Sequence, residues 1–242
     1  KARLITDVAV RQLPFLAQGD ARTVSIYVGI PFCLSRCLYC SFPSNLLPSE
    51  KKLRTFMDVL ARDLDAAAED VRDLGLTVQS IYIGGGTPTA LPEKELEDLL
   101  VLVEQKLLSS PYAKVLEYTV EAGRPDSLSG NKLALLKAHS VGRISINPQT
   151  FRQETLDLIG RKHSVESVVE RFYEARALGF DNINMDLILG LPSERLSDVE
   201  ESLRRIHALS PDNLTVHSLA VKRAAKLKTE ENKYRGAYQA GA

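Results

Sequence analysis

Apolar and polar positions along the chain alternate between short β-branched runs and longer stretches with an apolar residue every three or four places. Residues 24–30 form an apolar, β-branched run that predicts a buried strand. In residues 50–74, Leu53, Phe56, Met57, Leu60, Leu64, Ala67, Val71 and Leu74 fall at helical intervals, and Gly75 supplies the stop. The acids Asp63, Asp65, Glu69 and Asp70 read as that helix's solvated face. Residues 80–83 predict a second strand running into Gly84-Gly85-Gly86-Thr87-Pro88, after which Pro92, Glu93 and Glu95 suit the first turn of a helix. Residues 116–120 predict a third strand ending at Glu121, and residues 133–138 a short helix. A fourth strand is expected at 142–146, then helices at 153–159 and 164–178, the latter closed by Gly179. Ile183–Leu189 predicts a fifth strand leading to Gly190-Leu191-Pro192. Ser197-Asp198-Val199-Glu200 reads as a capping box opening a helix that Pro211 closes, and residues 214–219 predict a sixth strand.

Strands joined only by crossover helices imply a parallel sheet with right-handed connections. Nearly continuous apolar strands are expected where helices cover the sheet. Six strand–helix units fall short of the eight of a closed barrel. The expected fold class is therefore α/β: a partial open (β/α)6 barrel, a parallel sheet with outer helices. Periodicity alone also allows an open doubly wound sheet. The core spans 23–225. Residues 1–22 read as an N-terminal remnant or cap, and 226–242 as a polar tail expected to be disordered. The chain opens at Lys1 and reads as a core excised from a longer protein.

Composition narrows the function. The 242 residues are 44% hydrophobic and 26% charged, with a formal net charge of +0, so nucleic-acid and anionic-membrane binding receive no global support. No apolar run approaches the roughly 18–20 residues of a membrane span, and no signal-peptide pattern is visible. Thiols without a disulfide pattern suit a reducing cytoplasm.

The densest chemistry lies in Tyr27-Val28-Gly29-Ile30-Pro31-Phe32-Cys33-Leu34-Ser35-Arg36-Cys37-Leu38-Tyr39-Cys40, which carries all 3 cysteines as C-x3-C-x2-C after the first strand. A structural zinc site needs four ligands, and the fourth would have to come from distant His139, His163, His207 or His217. The odd count and tight spacing disfavour a disulfide framework. Three thiolates on one loop can instead hold three irons of a cubane cluster and leave the fourth open to a small molecule. The other unusual residues also fall at the carboxyl ends of predicted strands, the rim where parallel α/β folds bind ligands. Gly85, Gly86 and Thr87 follow strand two, Glu121 and Arg124 end strand three, Gln149 follows strand four, Asp186 lies on strand five and Ala220 closes strand six. The glycine turn lacks the lysine of a nucleotide loop and the order of a dinucleotide fingerprint. A buried acid at Glu121 needs a partner, either a ligand or a structural ion pair with Arg124 or Arg143. Asp186 poses the same choice, with Arg161 as the possible partner.

The cysteine loop, with aromatic Tyr39 before the third cysteine, resembles the signature of the radical S-adenosylmethionine (SAM) superfamily. That resemblance implies a [4Fe-4S] cluster on Cys33, Cys37 and Cys40, whose open iron chelates SAM and whose electron cleaves it to methionine and a 5′-deoxyadenosyl radical. The segments YVGIPFCLSRCLYCSF, YIGGGTPTAL, VEAGRPDSL, RISINPQTF, NMDLILGLPSE and LTVHSLAVKRAA together resemble the oxygen-independent coproporphyrinogen III oxidase family, in its HemZ-like branch. Carried over by position, SAM contacts fall on Tyr27, Tyr39, Gly85, Gly86, Thr87, Glu121, Gln149, Arg161, Asp186 and Ala220. The resemblance implies an oxidoreductase of porphyrin and haem biosynthesis that decarboxylates coproporphyrinogen III to protoporphyrinogen IX with an electron donor, as a cytoplasmic monomer. A tetracarboxylate substrate asks for rim cations, for which Arg124, Lys222 and Arg223 are candidates. Ser41 and Phe42 follow Cys40 where the best-known oxidase branch carries another cysteine, and the oxidases' C-terminal lid domain is not in this sequence. A related branch with similar motifs is a haem chaperone, for which His217 would be a candidate axial ligand, although a lone histidine can equally be a core residue. A radical enzyme acting on tRNA is disfavoured by the neutral charge.

Overall fold

Strands β1 (Thr23–Ile30), β4 (Thr77–Gly85), β5 (Ala113–Glu121), β6 (Arg143–Ser145), β7 (Ile183–Leu189) and β8 (Asn213–Ser218) form one sheet in the order β1-β4-β5-β6-β7-β8. Between the first two lies a small parallel pair, β2 (Phe32–Cys33) and β3 (Asn45–Leu46). The computed structural model describes residues 6, 10, 22–42, 45–221 and 225–229. The expectation for residues 1–22 therefore lies almost wholly outside the described residues.

Every neighbouring pair in the large sheet is parallel. Strand order follows chain order and never doubles back. Each crossover thus moves one strand further in the same direction, which is the winding of a barrel. It excludes the doubly wound alternative, whose strand order reverses midway. Among the described residues β1 and β8 stand at the two edges, which gives a partial, open barrel.

The helices are α1 (Glu50–Asp73), α2 (Glu93–Val103), α3 (Gly130–Ala138), α4 (Gln153–Leu158), α5 (Val165–Ala177), α6 (Leu196–Leu209) and α7 (Lys226–Thr229). Leu53, Met57, Leu64 and Val71 are the buried face of α1, as the spacing predicts. Leu74 instead caps the helix and is 68% exposed, because Gly75 turns the chain away at φ +62°. On α2, Leu96, Leu99, Leu100 and Val103 are fully covered, as are Ile81, Ile83, Val120, Ile144 and Ile183 on the sheet. Each such side chain contributes about 1.5–3 kcal/mol relative to exposure.

Three expectations change. The strands predicted at 80–83 and 116–120 run longer, as Thr77–Gly85 and Ala113–Glu121, because backbone pairing tolerates the polar residues at their entrances. Helix α6 is capped two residues earlier than expected: the Arg195 amide donates to the Asp198 carboxylate at 2.8 Å, so Ser197 lies inside the helix. Strand β8 is exposed along its length, with Val216 48% accessible; among the described residues the one helix after it, α7, is a single turn bonded to Leu38 instead. The tail expected from residue 226 begins with the turn α7, while residues 230–242 lie outside the described residues.

Candidate functional site

Because the strands are parallel, their carboxyl ends form one rim, and the cysteine loop lies across it. The loop is tied down on both sides: the Leu38 amide donates to the Ile159 carbonyl, and the Leu227 amide to the Leu38 carbonyl, each at 2.9 Å. Leu227, on α7, is buried. Strand β2 holds Cys33 in register with Leu46, and the Leu47 amide donates to the Cys33 carbonyl at 3.0 Å. Cys33, Cys37 and Cys40 are free thiols lining a single cleft of about 320 Å³, the size of a small-molecule site.

Each sulfur has a hydrogen-bond donor. The Thr87 hydroxyl donates to Cys33 Sγ at 3.5 Å, and Arg124 Nη1 to Cys37 Sγ at 3.6 Å. Burial pushes the Cys40 thiol up, against a lowering hydrogen bond from the Phe42 backbone. Among the described residues, no group of three or more His, Cys, Asp or Glu side chains is placed to hold a single metal ion. A cubane takes one thiolate per iron, so its ligands surround a volume and need not converge on a point. Three cysteines around one cleft fit that demand.

The glycine turn is required by the chain's own packing. At Gly85 φ is +113°, and a Cβ there would meet the Ile30 carbonyl oxygen at 2.9 Å. At Gly86 a Cβ would lie 2.6 Å from the Phe32 carbonyl oxygen and 3.0 Å from Cys33 Sγ. The Gly86 and Thr87 amides donate to the Ile30 and Phe32 carbonyls at 2.8 and 2.7 Å. Side-chain absence thus lets the turn lie against the cysteine loop.

Glu121, the last residue of β5, forms no ion pair with Arg124 or Arg143 among the described residues. Its carboxylate accepts from the Tyr82 hydroxyl at 2.6 Å and from the Gly85 amide at 3.3 Å. Burial raises its pKa, and these two bonds offset only part of that rise. Tyr27 is 62% exposed, does not line the cleft, and stacks on Tyr82 with ring centroids 5.7 Å apart. Its hydroxyl and the Glu121 carboxyl carbon each come within 3.1 Å of the point where a Gly84 side chain would start.

Opposite, Gln149 takes a left-handed backbone conformation at φ +66° that glycine would adopt more readily. Bonds to β7 hold it there: its amide donates to the Asp186 carbonyl and its carbonyl accepts from Ile188, both at 2.9 Å. Among the described residues its buried side-chain Oε1 has no partner, and neither have Asn147 Oδ1 and Arg161 Nε, all from residues lining the cleft. Buried polar atoms without partners are costly, which suits surfaces completed by a polar ligand. Asp186 is not paired with Arg161. It accepts from Asn147 Nδ2 at 2.8 Å and Asn184 Nδ2 at 2.7 Å. Arg161 donates to the carbonyls of Gly123 and Asn147 and to the Tyr39 hydroxyl at 3.0, 3.3 and 3.2 Å. Burial raises the Tyr39 phenol's pKa, and Arg161 opposes that rise.

Of the residues predicted for the site, the cleft brings together all three cysteines with Tyr39, Gly85, Gly86, Thr87, Glu121, Gln149, Arg161, Asp186 and Ala220, and leaves out Tyr27. Arg124, predicted as a free rim cation, is buried and paired with Asp126 at 2.8 Å. Lys222 and Arg223 lie outside the described residues. His217 is no core histidine: it lines the cleft, its side chain is 53% exposed, and it sits 3.8 Å from Asp186. Sequence reasoning missed Asn147 and Tyr82. Asn147 lies two residues before Gln149 in the same loop, which was a usable signal. The pairing of Tyr82 with Glu121 depends on adjacent strands and left none.

The family model of the radical SAM superfamily matches residues 27–206. The chain is 42% identical over 214 residues to the oxygen-independent coproporphyrinogen-III oxidase-like protein HemZ of Bacillus subtilis, covering 88% of this chain and 42% of that protein. It is 36% identical over 197 residues to the heme chaperone HemW of the same organism, covering 81% of this chain and 50% of that one. Among solved structures, the coproporphyrinogen III oxidase HemN of Escherichia coli, a radical SAM enzyme, superposes with a TM-score of 0.72 at 27% identity, covering 95% of this chain and 55% of that one. The chain thus spans about half the length of the relatives it matches.

Proposed function

The chain belongs to the radical SAM superfamily, whose cofactors are a [4Fe-4S] cluster and SAM, and from that premise we propose that it is the catalytic core of an oxygen-independent coproporphyrinogen III oxidase acting in haem biosynthesis. The observation that carries the reading is the convergence of Cys33, Cys37 and Cys40 with Glu121, Gln149, Arg161 and Asp186 on one cleft. Likeness to HemZ and HemN supports the tetrapyrrole substrate. Bound in the cleft, the cluster and SAM would supply one-electron chemistry and a 5′-deoxyadenosyl radical able to take a hydrogen from an unactivated carbon.

The chain's own residues hold and orient. Cys33, Cys37 and Cys40 would hold the cluster, one thiolate to an iron. The Gly85-Gly86-Thr87 turn, held to β1 and the cysteine loop by backbone bonds, offers its edge to the methionine amino group. Glu121, fixed by Tyr82 and Gly85, presents its carboxylate to the ribose hydroxyls. Tyr27 supports it from behind Tyr82. Gln149, Arg161 and Asp186 offer polar atoms to the remainder of SAM, with Tyr39 and Ala220 as neighbouring walls. Among the described residues, no helix is long and apolar enough to cross a membrane.

A second reading is a haem-binding protein without decarboxylase activity. It is favoured by the likeness to HemW and by His217, half exposed on the cleft rim. The two separate in one experiment on the full-length protein, reconstituted without oxygen and given SAM, reductant and coproporphyrinogen III. Loss of carboxylates from the porphyrinogen together with 5′-deoxyadenosine supports the oxidase. SAM cleavage with intact substrate, together with stable haem transfer, contradicts it.

A further inference from the structure

Arg124 follows β5 just before the helical turn Pro125–Ser127, and its side chain is 3% exposed. A guanidinium carries five N–H donors. Here all are used: Nε and Nη2 fork onto Asp126 at 3.1 and 2.8 Å, and Nη2 also donates to Ser35 Oγ at 2.8 Å. Nη1 donates to the Ser35 carbonyl at 2.8 Å and to Cys37 Sγ at 3.6 Å. A saturated, buried guanidinium has no donor left for a substrate carboxylate, which removes Arg124 from the rim cations expected from sequence.

What remains is its hold on one sulfur. Cys33 receives a hydroxyl donor and Cys40 a backbone bond, so among the described residues Cys37 alone accepts from a formally charged group. We infer that Arg124 is a positioning residue that sets the reduction potential of the cluster through Cys37, with Asp126 as its counterweight. Reduction adds negative charge to the cluster. A donor and a positive charge at a ligand sulfur stabilise the reduced form more than the oxidised one, and hydrogen bonds to sulfur are a main determinant of such potentials. The Asp126 carboxylate offsets part of that charge. Burial favours its neutral form, but the bonds and charge of Arg124 outweigh burial and hold its pKa below the usual range. The inference rests on cluster ligation by Cys37 and is independent of which tetrapyrrole the protein handles.

The test is an EPR-monitored redox titration of the reconstituted protein and three variants. Arg124→Gln should make reduction harder by about tenfold, which is 59 mV for a one-electron couple. Asp126→Asn, which unmasks the guanidinium, should shift the potential in the opposite direction, and Arg124→Lys should stay nearer wild type. A merely structural role would not move the two removals in opposite directions. Potentials of Arg124→Gln and Asp126→Asn both within about twofold of wild type, or shifted the same way, overturn the inference. Should Arg124→Gln fail to assemble a cluster, the Asp126→Asn shift decides alone: upward supports the inference, unchanged or downward overturns it. A wild-type protein with no cubane spectrum would remove the cluster assignment itself, and this inference with it.

Discussion

Replacing Gly86 by Ala tests whether the glycine turn exists to let the chain pack against its own cysteine loop. The added Cβ would lie 2.6 Å from the Phe32 carbonyl oxygen, 2.9 Å from its carbon and 3.0 Å from Cys33 Sγ. Two of these are backbone atoms and the third is the sulfur of Cys33, proposed to hold an iron, so none can swing aside as a flexible side chain would. Overpacking of this kind costs about 1–3 kcal/mol. Relief by moving the turn stretches the Gly86 to Ile30 and Thr87 to Phe32 hydrogen bonds, worth about 1 kcal/mol each. The expected loss is about 2–4 kcal/mol in anaerobic urea unfolding of the reduced apoprotein, with lower iron content after reconstitution. Two alanines give the scale. Gly75→Ala meets nothing within 4 Å but sits at φ +62°, so it should lose about 1 kcal/mol. Gly142→Ala also meets nothing within 4 Å and should stay within about 0.5 kcal/mol of wild type. A Gly86→Ala protein as stable and as well loaded as Gly142→Ala would refute the packing argument.

Other consequences follow from single contacts. Tyr82→Phe removes the 2.6 Å bond to Glu121, so the carboxyl pKa should rise further. SAM affinity, measured by equilibrium dialysis across pH, should fall about tenfold or more and decline at a higher pH than in wild type; unchanged profiles would reject the role given to Tyr82. Burial, with Arg161 nearby, pushes the His163 pKa from 6.5 down to about 4. Between those values the unfolded chain takes up a proton that the folded one refuses, so stability is lost as pH falls through the window, by about 3 kcal/mol from this group. His163→Gln should remove that part of the pH dependence of urea midpoints, and parallel profiles for the two proteins would contradict it. Leu227→Asp places a charge at a site 1% exposed beside the cysteine loop. It should speed bleaching of the cluster in air, monitored by absorbance, whereas an unchanged rate would show that α7 does not steady the loop.

Local patterns made much of the architecture legible. Period-two and period-3.6 apolar spacing located every strand of the large sheet and the long helices, because burial is what that spacing encodes. The cysteine loop announced itself through residue type and spacing, and Glu121, Gln149 and Asp186 through their place at strand ends. What stayed hidden depends on which strands lie side by side. Tyr82 reads as an ordinary strand tyrosine until β4 and β5 are aligned. Arg124 reads as a surface cation until Asp126 and Ser35 are seen to use its donors. Leu227 sits in a polar stretch with no period, and only its contact with Leu38 gives it a place.

The account depends most on three thiolates holding a cluster with one corner open to SAM. The direct measurement is the EPR spectrum of the reconstituted, reduced protein with and without SAM, repeated for Cys33→Ala, Cys37→Ala and Cys40→Ala. The prediction is a cubane signal that SAM alters in wild type and that each substitution abolishes. A signal indifferent to SAM, or kept intact by any one of the variants, would contradict it.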